Sequence, residues 1–125
     1  MANLARAFGM EIMFAAHKGV TGLGPLYTPV TELPAASVLT LHSPLMPSTQ
    51  GMIAYPEFLR MRKKPIIINT SRGRLVVEED LERALDEGLI AGADFDVTMP
   101  EPSAADSPIM RIATRPNVII TPHIA

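Results

Sequence analysis

The sequence contains no cysteine and no tryptophan, and its aromatic residues are two tyrosines and four phenylalanines. Without cysteine there is neither a disulfide framework nor a thiolate metal site. So few rings, with basic residues scattered along the chain, leave no stacking platform and no electrostatic footprint for nucleic acid. An excess of one charge is also missing, since eleven Lys and Arg against thirteen Asp and Glu give a net charge of −2. No apolar run reaches the roughly 20 residues of a membrane-spanning helix, and the N-terminus lacks the basic and apolar regions of a signal peptide. Neither a nucleic acid nor a membrane is therefore expected as a partner, and a cytoplasmic setting is expected by default. His17, His42 and His123 lie far apart without ligand spacing, so no metal site is expected either.

What is present suits one folded α/β unit. The 125 residues are 47% hydrophobic and 19% charged, enough apolar material for a core. Residues 65–77 organise the rest. Three consecutive isoleucines, Ile66, Ile67 and Ile68, run into Asn69 and Thr70, which predicts a strand buried on both faces, because a half-exposed strand alternates apolar with polar residues. Ser71, Arg72 and Gly73 then stand where that strand emerges. Residues 2–8 have helical propensity and Gly9 is placed to end them, after which residues 11–15 read as a short strand. Residues 19–34 are rich in Gly, Pro and Thr without a period and predict a loop. Gly22-Leu23-Gly24 is no dinucleotide fingerprint, because it lacks the third glycine and Pro25 follows at once.

Further strands are predicted at residues 37–41, 90–97 and 117–121, and the segment 57–61 has room for one or two helical turns. Residues 78–87 form the best helix, with acids at the start, Leu81, Ala84 and Leu85 on one face and Gly88 past the end. Ala91, Gly92 and Ala93 permit close backbone approach. Residues 98–116 read as a proline-rich loop. Short apolar strands that each finish in a polar group, with helices between, describe a doubly wound parallel sheet of Rossmann-like kind. Such sheets gather ligands at the carboxyl ends of their strands. Singly, Arg72 can be an ordinary loop arginine, Asp96 a turn cap, Glu101 a solvated acid and His123 a core histidine. Together they place an arginine, two acids and a histidine after strand ends that parallel strands bring to one edge.

Ile68-Asn69-Thr70-Ser71-Arg72-Gly73, then Gly92-Ala93-Asp94-Phe95-Asp96-Val97, Glu101-Pro102 and Asn117-Val118-Ile119-Ile120-Thr121-Pro122-His123-Ile124, resemble the signature run of the D-isomer-specific 2-hydroxyacid dehydrogenases in order and spacing as well as in residue type. Ala7-Phe8-Gly9-Met10 and His42-Ser43-Pro44-Leu45 are similar to the same family. Residues 14–19 and 95–98 are most like its hydroxypyruvate reductase or glycerate dehydrogenase branch. The resemblance implies a catalytic set of Arg72, Glu101 and His123. Arg72 would hold the substrate carboxylate, a task suited to a rigid bidentate donor. His123 would give a proton to the carbonyl oxygen, and Glu101 would orient its ring and favour the charged imidazolium. Ser43, Thr70, Ser71, Arg72, Asp96 and His123 would contact the cofactor, with Asp96 at its nicotinamide end and Gly73 keeping the neighbouring space clear.

The family pattern also implies a strand and a Gly-rich phosphate loop ahead of Ala2, and a separate substrate-binding domain. Residues 1–125 are accordingly expected to be a partial nucleotide-binding domain, inactive alone, of an enzyme that works as a homodimer. Where the family usually has an acid for the adenosine ribose, this chain has Ala16. With His17 and Lys18 beside it, the cofactor is left as NAD or NADP. The expected substrate is a small 2-keto or 2-hydroxy acid. A corepressor-like interaction module of the same family and an inert remnant stay open as alternatives. Formate dehydrogenases usually carry glutamine at the position of Glu101, so the carboxylate argues for a keto or hydroxy acid.

Overall fold

A computed structural model describes residues 1–15, 27–28 and 35–124. The elements run α1 (Ala2–Ala7), β1 (Phe14–Ala15), β2 (Tyr27–Thr28), β3 (Val38–Leu41), α2 (Tyr55–Phe58), β4 (Ile66–Asn69), α3 (Glu78–Asp86), β5 (Gly92–Phe95), α4 (Pro108–Ile112) and β6 (Val118–Ile120). β3, β4, β5 and β6 form one parallel sheet in that order, and β1 pairs with β2, also in parallel. Stepping always to the next strand with right-handed crossovers puts the intervening helices on one face.

Register decides which side chains meet those helices. Leu39, Ile67, Ala93 and Val118 lie in one row, and Leu41, Asn69, Phe95 and Ile120 in the next. Both rows point into a single core with Phe58 of α2, Leu81, Ala84 and Leu85 of α3, and Ile109 and Ile112 of α4. Side chains between the rows point the other way. Ile66 is therefore 44% exposed, Val38 48% and Ile119 59%, which corrects the expectation of a strand buried on both faces. Period-2 geometry overrides the unbroken isoleucine run, because among the described residues the packed helices lie on only one side.

The parallel α/β class, the four main strands and the helix over residues 78–87 stand where the sequence places them, with ends trimmed by a residue or more. α3 carries Glu78, Glu79 and Asp80 in its first turn, where they complement the helix dipole, and Gly88, with φ +63°, follows its C-cap Glu87. Gly9, with φ +79°, likewise follows α1. Two expectations of loop fail. Tyr27–Thr28 inside the predicted 19–34 loop pairs with β1, and residues 98–116 contain α4. That helix is only five residues long, and its cue is Ser107-Pro108 at the N-cap and first helical positions. Arg111 fastens it to α3 through a two-pronged pair with Glu82, Nε to Oε1 at 2.9 Å and Nη2 to Oε2 at 2.5 Å. Gly92 provides the close approach expected of it, since a Cβ there would stand 2.5 Å from the Asn117 carbonyl oxygen. Gly22-Leu23-Gly24, Ala16, His17 and Lys18 lie outside the described residues.

Candidate functional site

The carboxyl ends of β3 to β6 open on one edge, and four loops rise there. After β4, the fully buried Asn69 closes a tight turn: its Oδ1 accepts from the Ser71 backbone N–H at 3.1 Å and its Nδ2 donates to the Arg72 carbonyl at 2.9 Å. Ser71 Oγ donates to the Ser43 carbonyl at 2.6 Å, tying this turn to the loop after β3. Thr70 and Arg72 are left on the surface. The Arg72 guanidinium rests on the Ser71 carbonyl, with Nη1 at 2.6 Å. Gly73 begins a short 3-10 turn, Gly73–Leu75. Its role differs from the expected one: a Cβ there would stand 2.5 Å from both the carbonyl carbon and oxygen of Thr98, so glycine admits the neighbouring loop's backbone instead of leaving space for a ligand.

The loop after β5 carries both acids. Asp96, 3% exposed, receives the Thr121 hydroxyl and, at 2.8 Å, the Ile124 backbone N–H on one carboxylate oxygen, Oδ1. Its own N–H donates to the Asn69 carbonyl at 3.0 Å. Asp96 thereby holds residues on either side of His123. Glu101 accepts the Thr98 N–H on Oε1 at 3.0 Å and faces His123 Nδ1 through Oε2, also at 3.0 Å. Those two hydrogen bonds, His123 first, keep the Glu101 carboxyl below the usual carboxylate range, and the positive charge of Arg72 acts in the same direction. Glu101 is thus an anion paired with the His123 ring and in the field of the Arg72 guanidinium. Glu78, at the start of α3, accepts from Met99 N–H at 3.2 Å and from Ile109 N–H; partial burial pushes its carboxyl up.

The structure therefore brings Arg72, Asp96, Glu101 and His123 to one sheet edge, with Ser43, Thr70 and Ser71 beside them. Asn69 and Thr121 were not among the predicted site residues. Asn69 was legible as the one polar side chain closing an isoleucine strand, and Thr121 as the hydroxyl two residues before His123. Among the described residues no group of three His, Asp or Glu gathers as for a metal ion, and no helix is long and apolar enough to cross a membrane.

An exposed guanidinium, an imidazole backed by a carboxylate, a surface threonine and several loop carbonyls fit a nicotinamide nucleotide and a small anionic substrate in chemistry and in place on a parallel sheet. Residues 1–125 match the family model described as D-isomer specific 2-hydroxyacid dehydrogenase, NAD binding domain. The chain is 42% identical to glycerate dehydrogenase of Methylorubrum extorquens over 125 residues, which cover all of this chain and 38% of that protein. Among solved structures, D-lactate dehydrogenase from Aquifex aeolicus complexed with NAD and lactic acid superposes with a TM-score of 0.83 at 32% identity, over 98% of this chain and 42% of that one. The NADPH-dependent glyoxylate/hydroxypyruvate reductase of Sinorhizobium meliloti in apo form gives 0.80 at 29% identity, over 98% and 64%. The chain spans about two fifths of the length of the curated relatives it matches.

Proposed function

Since the chain belongs to the D-isomer-specific 2-hydroxyacid dehydrogenases, by their NAD-binding domain, we propose that it is part of an oxidoreductase that interconverts a small 2-keto acid and its D-2-hydroxy acid, of the hydroxypyruvate and glyoxylate type. The observation that carries this reading is the 3.0 Å pairing of His123 Nδ1 with Glu101 beside the exposed Arg72.

Arg72 binds the substrate carboxylate and draws electron density from the adjacent carbonyl. Because Nδ1 faces Glu101, Nε2 is the nitrogen left to serve the substrate. Imidazolium gives its Nε2 proton to the carbonyl oxygen, and in the reverse direction neutral Nε2 takes the hydroxyl proton. Glu101 orients the ring and offsets its positive charge, while Asp96 fixes the backbone on which His123 sits. The nicotinamide cofactor, NAD or NADP, supplies or accepts the hydride when bound. Thr70, Ser71, Arg72 and Ser43 are the residues of this chain that would hold it; the Ser71 N–H is committed to Asn69, and its hydroxyl, having given its proton to the Ser43 carbonyl, keeps lone pairs that would accept from the cofactor. Full activity needs the remainder of the relatives' length, which would carry the phosphate loop and the substrate domain. A cytoplasmic homodimer is part of the same proposal.

The test is an initial-rate assay of the full-length parent with hydroxypyruvate, glyoxylate and longer 2-keto acids, each with NADH and NADPH. Reduction of at least one of these acids supports the reading. Absence of turnover with all of them, in a protein that binds the cofactor, favours the corepressor-like alternative.

A further inference from the structure

Asn69 has no assigned part in the reaction, yet it is the buried polar residue nearest in sequence to Arg72. It is fully buried among isoleucines and core residues, where an amide costs free energy unless its groups are paired. Both ends of its side chain are spent on the turn that presents Arg72: the carbonyl on Ser71 N–H at 3.1 Å, the amino group on the Arg72 carbonyl at 2.9 Å. A flipped amide would oppose donor to donor and acceptor to acceptor, so this orientation is the one the surroundings permit. Its backbone carbonyl accepts Asp96 N–H at 3.0 Å, and Asp96 in turn holds Thr121 and Ile124 around His123. One residue thus fixes the Arg72 turn through its side chain and registers it against the loop of the proton donor through its main chain.

We propose that Asn69 is a positioning residue that sets where the Arg72 guanidinium stands, and so how well the substrate carboxylate is held. This rests on the role given to Arg72 above. Serine or alanine would fit the space at position 69, but neither can span from residue 69 to both Ser71 N–H and Arg72 C=O. Loss of the clamp lets the turn relax, and a misplacement of about 1 Å at a site of this kind costs roughly 10²-fold in rate.

The experiment is a double-mutant cycle in the full-length parent: wild type, Asn69→Ala, Arg72→Ala and both together, with kcat, KM for the 2-keto acid and Kd for NADH or NADPH measured for each. Asn69→Ala is expected to lower kcat/KM by ~10–10²-fold with a clear rise in KM for the 2-keto acid, accompanied by a smaller rise in cofactor Kd because Thr70 and Ser71 share the relaxed turn. The double variant is expected to be no worse than Arg72→Ala alone, since a guanidinium that is absent cannot be misplaced. Additive losses would overturn the proposal, as would an Asn69→Ala enzyme with unchanged KM. If Arg72→Ala itself leaves kcat/KM intact, it is the assignment of Arg72, and with it the proposed function, that fails. Should Asn69→Ala not accumulate as folded protein, Asn69→Ser carries the cycle: its short hydroxyl can reach at most one of the two backbone groups, so the clamp is still broken.

Discussion

Replacing Gly73 by alanine adds one methyl group where the neighbouring chain already stands. The added Cβ would sit 2.5 Å from the carbonyl carbon and oxygen of Thr98 and 2.9 Å from its Cα, whereas nine in ten Cβ contacts are 3.4 Å or longer. A gap of about 1 Å must open between two backbones. On the Gly73 side, Leu75 is fully buried and Val76 N–H is bonded to the Gly73 carbonyl, so that turn resists. The Thr98 side must then yield, and Thr98 N–H is bonded to Glu101. Overpacking of this kind costs about 1–3 kcal/mol. With a urea slope of ~1–3 kcal/mol per molar, the midpoint of denaturation should fall by roughly 1 M. The penalty is steric and not conformational, so it differs from Gly9→Ala, where φ is +79° and nothing lies within 4 Å. Because the obstructing atoms are main-chain, trimming the side chain with Thr98→Gly should not rescue Gly73→Ala. A Gly73→Ala chain with the wild-type urea midpoint would show that the two loops are not packed as described.

Phe95→Ala should be among the most damaging single changes, about 3–5 kcal/mol by urea denaturation, because the ring is 1% exposed and lies between the sheet and its helices. Glu78→Gln should flatten the pH dependence of the thermal midpoint: the partly buried carboxyl is harder to ionise folded than unfolded, a penalty present above the raised folded value and lost as pH falls through it to the unfolded one of about 4.3. Glu101→Gln in the parent enzyme should alter the pH–rate profile while leaving some activity, since glutamine can orient the His123 ring but cannot offset its charge. The 125-residue chain alone should bind NADH weakly in a fluorescence titration, because residues 1–125 contain no G-x-G-x-x-G phosphate-binding turn.

Most of the sheet was legible because strand-length apolar runs ending in polar residues survive in any context that buries one face. What context alone decides was not. Ile66 and Ile68 read as doubly buried, yet their burial depends on what covers the second face, and no pattern internal to residues 66–68 carries that information. Helix α4 escaped notice because five residues show barely one hydrophobic repeat; Ile109 and Ile112, three apart, follow the Ser107-Pro108 start. For the candidate site, the proximity of Arg72, Asp96, Glu101 and His123 was legible from their places after strands, which parallel topology brings to one edge. The contacts of Asn69, Thr121 and Gly73 depend on the shape of a turn or on a residue 25 positions away. Gly73 showed its glycine in sequence, but the Thr98 backbone that requires it is 25 residues distant.

Transfer of a proton from His123 is best examined by comparing wild-type parent enzyme with His123→Ala in two quantities, kcat for reduction of the preferred 2-keto acid and Kd for the nicotinamide cofactor. A general acid contributes ~10²–10⁴-fold, so kcat should fall on that scale while Kd changes by only a few-fold. Near-wild-type turnover by His123→Ala with every 2-keto acid tried would contradict the assignment of His123 as the proton donor.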